Sequence, residues 1–412
     1  MAANETITIA ILPESAVVTS NINGDITGTV TSTSDLVFFT LFPRQKNTIS
    51  FSGANGNESV SSIVMTYYNR YLSVYDPCYT IDCDEVVDTS TFISEWNTEN
   101  TSTGSSTSTQ ISLPLESSGT YNFVVDWGDG GNQDHITVWN QAQTTHTYAT
   151  AGVYTITING ICEGWRFNNT GDRLKILDVS QWGDRFRLGN SNGYFYGCAN
   201  LRITATDVLD LSGTTNLSSM FRACTTLSTV SSMSSWDVSA VTNMSIMFFG
   251  ATLFNQDIGA WDVTAATNMS FMFASTSTFN QDITNWVLVG DVKLDSMFRD
   301  ATAFNQDISS WDVSDVTNIN RMFYSATSFD QDLGSWQVGN VTTAVEMFFG
   351  ITLSTANYDA LLVGWESLSP SLQNGVTFHG GNSQYTAASA AATARANLIS
   401  NHSWSITDGG PV

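Results

Sequence analysis

One period constrains this chain more than any other feature. Tryptophan recurs at Trp236, Trp261, Trp286, Trp311 and Trp336, each 25 residues after the last. A Met-Phe pair keeps the same step at Met247-Phe248, Met272-Phe273, Met297-Phe298, Met322-Phe323 and Met347-Phe348, and so does the row Phe254, Phe279, Phe304 and Phe329. A fixed period in this range marks a repeat array, in which each repeat buries its apolar face only against its neighbours.

The spacing within one repeat predicts its local structure. Val241, Met244, Met247 and Phe248 follow the 3–4 step of a helical face. Ser239 stands before them as a candidate N-cap. Phe254-Asn255-Gln256-Asp257-Ile258 reads as a short extended segment, with the next tryptophan at the bend. Each coil is therefore expected to hold one short strand, one turn and one short helix. Stacked coils would give a parallel sheet on one side and helices on the other. The coil 276–300 departs from the pattern, with Val287 where Asp stands elsewhere and Asp291-Val292-Lys293-Leu294 in place of Val-Thr-Asn-Met. It reads as surface drift or a contact patch.

The run FNQDISSWDVSDVTNINRMFYSA (Phe304–Ala326) resembles the BspA-like repeat, a divergent leucine-rich-repeat type of bacterial surface proteins. Asn-Gln-Asp, Trp-Asp-Val and Met-Phe recur together over about the second half of the chain. The resemblance implies a right-handed solenoid used for adhesion or recognition, and no catalysis.

The domain reading follows in order. Residues 1–90 are expected to form an all-β domain, from the alternation in Thr6–Ile9 and Thr48–Phe51, the apolar run Leu36–Phe42 and the Tyr-rich Ser62–Leu72. In 91–165, Tyr121–Gly130 (YNFVVDWGDG) followed by His146–Ile158 (HTYATAGVYTITI) resembles a PKD-type domain. That resemblance implies an immunoglobulin-like β sandwich acting as spacer or binding module. Residues 166–350 are assigned to the solenoid, which opens irregularly with a strand at Leu174–Val179. Residues 351–412 are assigned to a C-terminal cap, and the segment resembles the one that follows such repeats. A helix with Tyr358, Leu361, Leu362 and Trp365 on one side is expected there, then strand, turn, Ala-rich helix and strand. The expected fold class is thus multidomain: an all-β N-terminal domain, a PKD/immunoglobulin-like sandwich, then a right-handed α/β leucine-rich-repeat-like solenoid with a cap.

Charge narrows the partners. Fourteen Lys and Arg against 38 Asp and Glu give a net charge of −24, which repels nucleic-acid phosphates and anionic membranes. Only 13% of residues are charged; the polar remainder is Ser, Thr, Asn and Gln, as in extracellular and virion β proteins. No stretch is apolar enough to span a membrane. The start, MAANETITIAILPESAVV, lacks the basic and apolar regions of a secretory signal. A surface-type protein without that signal is expected either to have lost it or to reach the outside by virion assembly and lysis.

Little suggests chemistry. His135, His146, His379 and His402 are dispersed, and no Cys-His spacing suits zinc. Cys198 and Cys224 share the repeat position of Ala251, Ala301 and Ala326 and read as small core residues. Cys78 and Cys83 flank a loop, where a local disulfide and two free thiols are both open. No catalytic and no cofactor-binding residue is expected. The one candidate metal site is an acidic ladder of Asp257, Asp282, Asp307 and Asp332 beside Gln256, Gln281, Gln306 and Gln331. Clustered oxygens suit calcium, but hydrogen bonding of each carboxylate within its own turn is the favoured reading. The tryptophans are read as core first and sugar-stacking surface second.

The functional expectation is a non-enzymatic virion surface protein of a bacteriophage (head fibre, tail or capsid decoration) that mediates adhesion or host recognition. Residues 1–90 would contact other virion proteins or sister subunits. The solenoid would contact a host cell-surface glycan or protein. The alternative is a bacterial cell-surface adhesin, placed on the cell surface, and less favoured is a subunit of an extracellular polysaccharide hydrolase.

Overall fold

The computed structural model describes residues 90–228 and 230–412 throughout, and five strands within residues 1–89. The chain divides into two compact units, Met1–Val86 and Val87–Val412.

The five strands of the first unit are β1 (Glu5–Leu12), β2 (Ser15–Ser20), β3 (Gly24–Asp25), β4 (Asn47–Gly53) and β5 (Val64–Tyr67). They form one mixed sheet in the order β3-β2-β1-β4-β5, with β1 parallel to β4. The run Leu36–Phe42 and the pair Cys78 and Cys83 lie outside the described residues.

The second unit begins with β6 (Thr91–Asn97), β7 (Gln110–Ser112), β8 (Leu115–Asp126), β9 (Asp134–Ile136), β10 (Thr145–Thr147) and β11 (Val153–Trp165). It continues with β12 (Ile176–Gln181), β13 (Phe186–Arg187) and β14 (Arg202–Ile203). Strand β8 alternates, with Tyr121, Phe123 and Val125 buried and the residues between them turned outward, which is the period-two signature of a half-buried strand. The main sheet runs β14-β12-β6-β11-β8-β9, with β13 beside β11 and a separate β7-β10 pair. It does not close at residue 165. Strand β12 pairs antiparallel with β6 and parallel with β14, so residues 91–165 and the first repeats share one sheet and one core. A buried ion pair ties them further. Lys175 Nζ lies 3.4 Å from Asp172 with both side chains fully buried. Lys175 donates to the carbonyls of Ser106, Thr107 and Gln110, while Asp172 accepts from the Ser106 and Ser112 amides.

The right-handed α/β solenoid expected over 166–350 does not form. The molecule is mostly β with a mixed sheet. Among the described residues there are two α-helices, both beyond residue 350, and the regular repeats hold no α-helix and only isolated parallel bridges. The hydrogen bonds show why. Met247, Phe249, Ala251 and Phe254 N–H groups donate three residues back, to Met244, Ile246, Phe248 and Ala251, closing successive turns. The alternate amides leave the repeat instead. Those of Met244, Ile246, Phe248 and Gly250 donate to Asn268, Ser270, Met272 and Ala274 of the next coil at 2.8–2.9 Å. From Met244 to Ala251 the amides are thus met partly within the coil, partly by the next coil and, for Ser245, by the Asn243 side chain, without a helix. Ser239 caps no helix; its amide and hydroxyl both donate to Asp237.

This path requires left-handed backbone twice per coil, as at Ile246 (φ +61°) and Gly250 (φ +69°), Phe271 and Ser275, or Arg321 and Ser325. Such a conformation costs a non-glycine residue roughly 1–2 kcal/mol, and it persists because hydrogen bonds on both sides fix it.

The Met-Phe pairs from 247 to 348 are fully buried. The rings Phe221, Phe248, Phe273, Phe298, Phe323 and Phe348 stack in one column with neighbouring centroids 5.5–5.9 Å apart. A second column, Phe254, Phe279, Phe304 and Phe329, stands beside it at 6.0 Å spacing. Cys198 and Cys224 are buried free thiols in this core.

After the last coil come α1 (Thr355–Glu366), β15 (Thr377–His379), α2 (Ala390–His402) and β16 (Ser405–Thr407). Helix α1 begins on Ser354, whose hydroxyl accepts from the Asn357 amide, and it buries Tyr358, Leu361, Leu362 and Trp365. Gly364 within α1 lies on Gly334 of the last coil, where any Cβ would come within 2.0 Å of the Gly334 carbonyl oxygen. Strand β15 continues the backbone ladder, accepting from Ala344 and Phe348, and Phe378 meets the end of the Phe column. Asp408 is buried between Arg395, at 2.7 Å, and the Tyr358 hydroxyl, at 2.8 Å.

Candidate functional site

The acidic ladder serves the turns. Asp257, Asp282, Asp307 and Asp332 each accept, through Oδ1, the backbone N–H two residues on, at 2.8–3.0 Å. The serine or threonine hydroxyl two residues on, then the backbone N–H, holds the Asp282 and Asp307 carboxyls below the usual carboxylate range. Among the described residues no cluster of three or more His, Cys, Asp or Glu side chains is arranged to hold a cation.

The neighbouring columns are also mortar between coils. Asn255, Asn280 and Asn305 accept the backbone N–H of Asn280, Asn305 and Asp330 in the following coil, each at 2.9 Å. Gln281, Gln306 and Gln331 donate back to the carbonyls of Asn255, Asn280 and Asn305. The tryptophans face inward. The Trp261, Trp286, Trp311 and Trp336 indoles donate to the carbonyls of Met233, Ile258, Ile283 and Ile308 at 2.8–3.1 Å. Each indole is at most 3% exposed, so this column offers no stacking surface to a sugar.

The histidines stay apart, each with a local partner: Asn122 for His135, Asp129 for His146, the Gly381 amide for His379 and Ser369 for His402.

What faces outward in register, Ala274 excepted, is the residue after the buried pair of each coil. The backbone turns left-handed one residue later, and the side chain at this position points away from the buried pair. The row reads Tyr196, Arg222, Phe249, Ala274, Arg299, Tyr324 and Phe349. The Arg222 guanidinium lies between two rings, 4.7 Å from the Tyr196 centroid and 5.2 Å from that of Phe249. Arg299 covers Tyr324 at 5.2 Å. Tyr324 stacks on Phe349 at 4.9 Å, and Phe349 meets His379 edge-on at 5.5 Å. Phe349 is 41% exposed. Ala274, fully buried, interrupts the row between Phe249 and Arg299.

Sequence reasoning missed this row. It was visible as the position following Met-Phe, but the helical reading placed that position one residue along a helix, with no reason for it to line up as an outward column.

Comparison with known proteins is confined to the repeats. No curated protein and no solved structure matches the chain. Residues 190–293 and 289–361 match the family described as "Mycoplasma protein of unknown function, DUF285". The central repeats are therefore similar to that family, and the match supports a BspA-like repeat protein.

Proposed function

We propose that this chain is a non-enzymatic recognition protein whose contact surface is the outward row from Tyr196 to Phe349. The observation that supports the reading is the row itself. Half-exposed aromatic rings and arginines, the side chains most enriched at binding interfaces, recur once per coil on a rigid stacked frame. The same frame buries nearly every other large aromatic of the repeats. Aromatic–guanidinium stacking fixes these side chains before any partner arrives, which reduces the ordering cost of binding.

Within this proposal the carrier is the virion surface, with residues 1–90 as the attachment end. What favours that carrier is a composition low in charge and rich in Ser, Thr, Asn and Gln. The test of recognition is retention of the fluorescently labelled full chain on intact bacterial cells. Replacing Phe249, Tyr324 and Phe349 together by serine should abolish retention and leave the circular dichroism spectrum unchanged. Undiminished retention of a folded triple variant would remove this face from the account.

A further inference from the structure

We propose that coil 276–300 carries a further contact surface, in which Val287 and Val289, flanked by Asp262 and Asp312, receive a basic amphipathic helix of a partner protein. This surface is separate from the outward row, since Val287 lies about half a coil further along the chain than Ala274. The repeat itself sets the comparison. At the positions of Val287 and Val289, three other coils hold Asp237 and Ser239, Asp262 and Thr264, and Asp312 and Ser314, and the last holds Gln337 and Gly339. Asp237, Asp262 and Asp312 each accept the backbone N–H two residues on, at 3.0–3.1 Å, and so close their turns. The frame therefore has a polar solution for this corner and uses it in the coils on both sides. In the coil between them valine replaces both residues, and the two side chains are 57% and 55% exposed. The core beneath does not require the exchange, because Trp286 and Leu288 are buried as Trp261 and Val263 are.

Charge gives the partner its sign. Asp262 lies one coil before the valines and Asp312 one coil after, and both are exposed. The hydroxyl and then the backbone N–H of Thr264 hold the Asp262 carboxyl below the usual carboxylate range, and those of Ser314 do the same for Asp312. Both are therefore ionised at neutral pH, and neither joins an ion pair among the described residues. An apolar pair between two free carboxylates is complementary to an aliphatic side chain between two bases. The net charge of −24 draws in the same kind of partner from a distance.

Spacing gives the partner its form. Equivalent rings in successive coils stand 5.7 Å apart at Phe273 and Phe298 and 6.3 Å apart at Trp286 and Trp311. A helix returns to nearly the same face every four residues, a rise of about 6 Å. Base, aliphatic side chain and base at i, i+4 and i+8 thus fall in turn over Asp262, the valine pair and Asp312. A second copy of this chain offers no such helix among the described residues. Helix α1 has no basic residue, and the one arginine of α2, Arg395, is held by Asp408.

The experiment is fluorescence anisotropy of a labelled alanine-based helical peptide carrying lysine, leucine and lysine at those spacings, titrated with the full chain. A control peptide of the same composition has its leucine moved to the far face of the helix. The in-register peptide should bind at least about tenfold more tightly than the control, as covering two half-exposed valines implies. Val287→Asp together with Val289→Thr rebuilds the turn that Asp262 and Thr264 form. This variant keeps the fold of the neighbouring coils and should lose the preference. Asp262→Asn together with Asp312→Asn should weaken the in-register peptide and flatten its salt dependence. Equal affinity for the two peptides, undiminished binding by the valine variant, or no binding of either peptide would overturn the proposal. So would self-association of the chain in sedimentation velocity that the valine variant abolishes, because a second copy would then cover the patch.

Discussion

The indole column contains its own control. Trp311 and Trp236 occupy the same repeat position, each about 3% exposed. Each sits beside the phenylalanine of its own coil, at 6.3 Å from Phe298 and 6.2 Å from Phe221. Their aromatic neighbours differ, since Trp311 stacks on Trp286 and Trp236 meets Trp182 edge-on, and so does the fate of the indole N–H. Trp311 Nε1 donates to the Ile283 carbonyl at 3.1 Å, whereas Trp236 opens the register and its buried Nε1–H has no partner among the described residues. Trp→Phe at either site removes the same ring volume at equal burial, so most of the packing loss is shared. At Trp311 the change also deletes a hydrogen bond and strands a buried carbonyl, costing about 1–3 kcal/mol. At Trp236 it removes an unsatisfied buried donor, a relief of similar size. Trp311→Phe should therefore be the more destabilising by about 2–6 kcal/mol. Urea unfolding followed by circular dichroism reads this as a shift in midpoint at constant slope. Equal losses, or a larger loss at Trp236, would refute the claim that the indole bonds between coils carry stability.

Other expectations are more direct. Met297→Ala, in the middle of the fully buried column, should cost about 2–5 kcal/mol through lost contacts and a cavity, measured by the same urea midpoint. Ser325→Gly should gain about 0.5–1 kcal/mol, since Ser325 holds φ +55° where other coils carry Gly250 and Gly350; a loss on thermal unfolding would contradict the strain argument. Asp237, Asp282, Asp307 and Asp312 are held below the usual carboxylate range by the hydroxyl and then the backbone N–H two residues on. A carboxyl whose folded pKa lies below its unfolded value adds stability that is complete above the unfolded value and is lost as pH falls through the folded one. The melting temperature should therefore fall below about pH 4, and less steeply with all four changed to Asn, which keeps an acceptor at each turn. EDTA at neutral pH should leave the melting temperature unchanged, because the carboxylates of the Asp257 ladder are already engaged in their turns; a large calcium-dependent rise would show a metal face instead.

The sequence by itself determined which residues are inside. A period of 25 with Trp, Met-Phe and Phe in register can bury those side chains only by stacking identical repeats, and burial is a property of composition and period. It also determined α1, since Ser354 supplies the cap and Tyr358, Leu361, Leu362 and Trp365 lie on one face of an uninterrupted helix. The conformation of the coil was decided elsewhere. Met244, Met247, Phe248 and Ala251 lie inward both on a helix and on a chain of three-residue turns, because both return to the same side every three to four residues. The choice rests on where the alternate amides go, and their acceptors lie 24 residues ahead in the neighbouring coil. Local propensity opposes the outcome, placing Ile246 and Phe271 at positive φ; only the stacked neighbours make it favourable. The outward row of Tyr196, Arg222, Phe249, Arg299, Tyr324 and Phe349 shares that origin. Its side chains face solvent because the left-handed residue after each one turns the backbone, and they meet one another because adjacent coils are hydrogen-bonded in register.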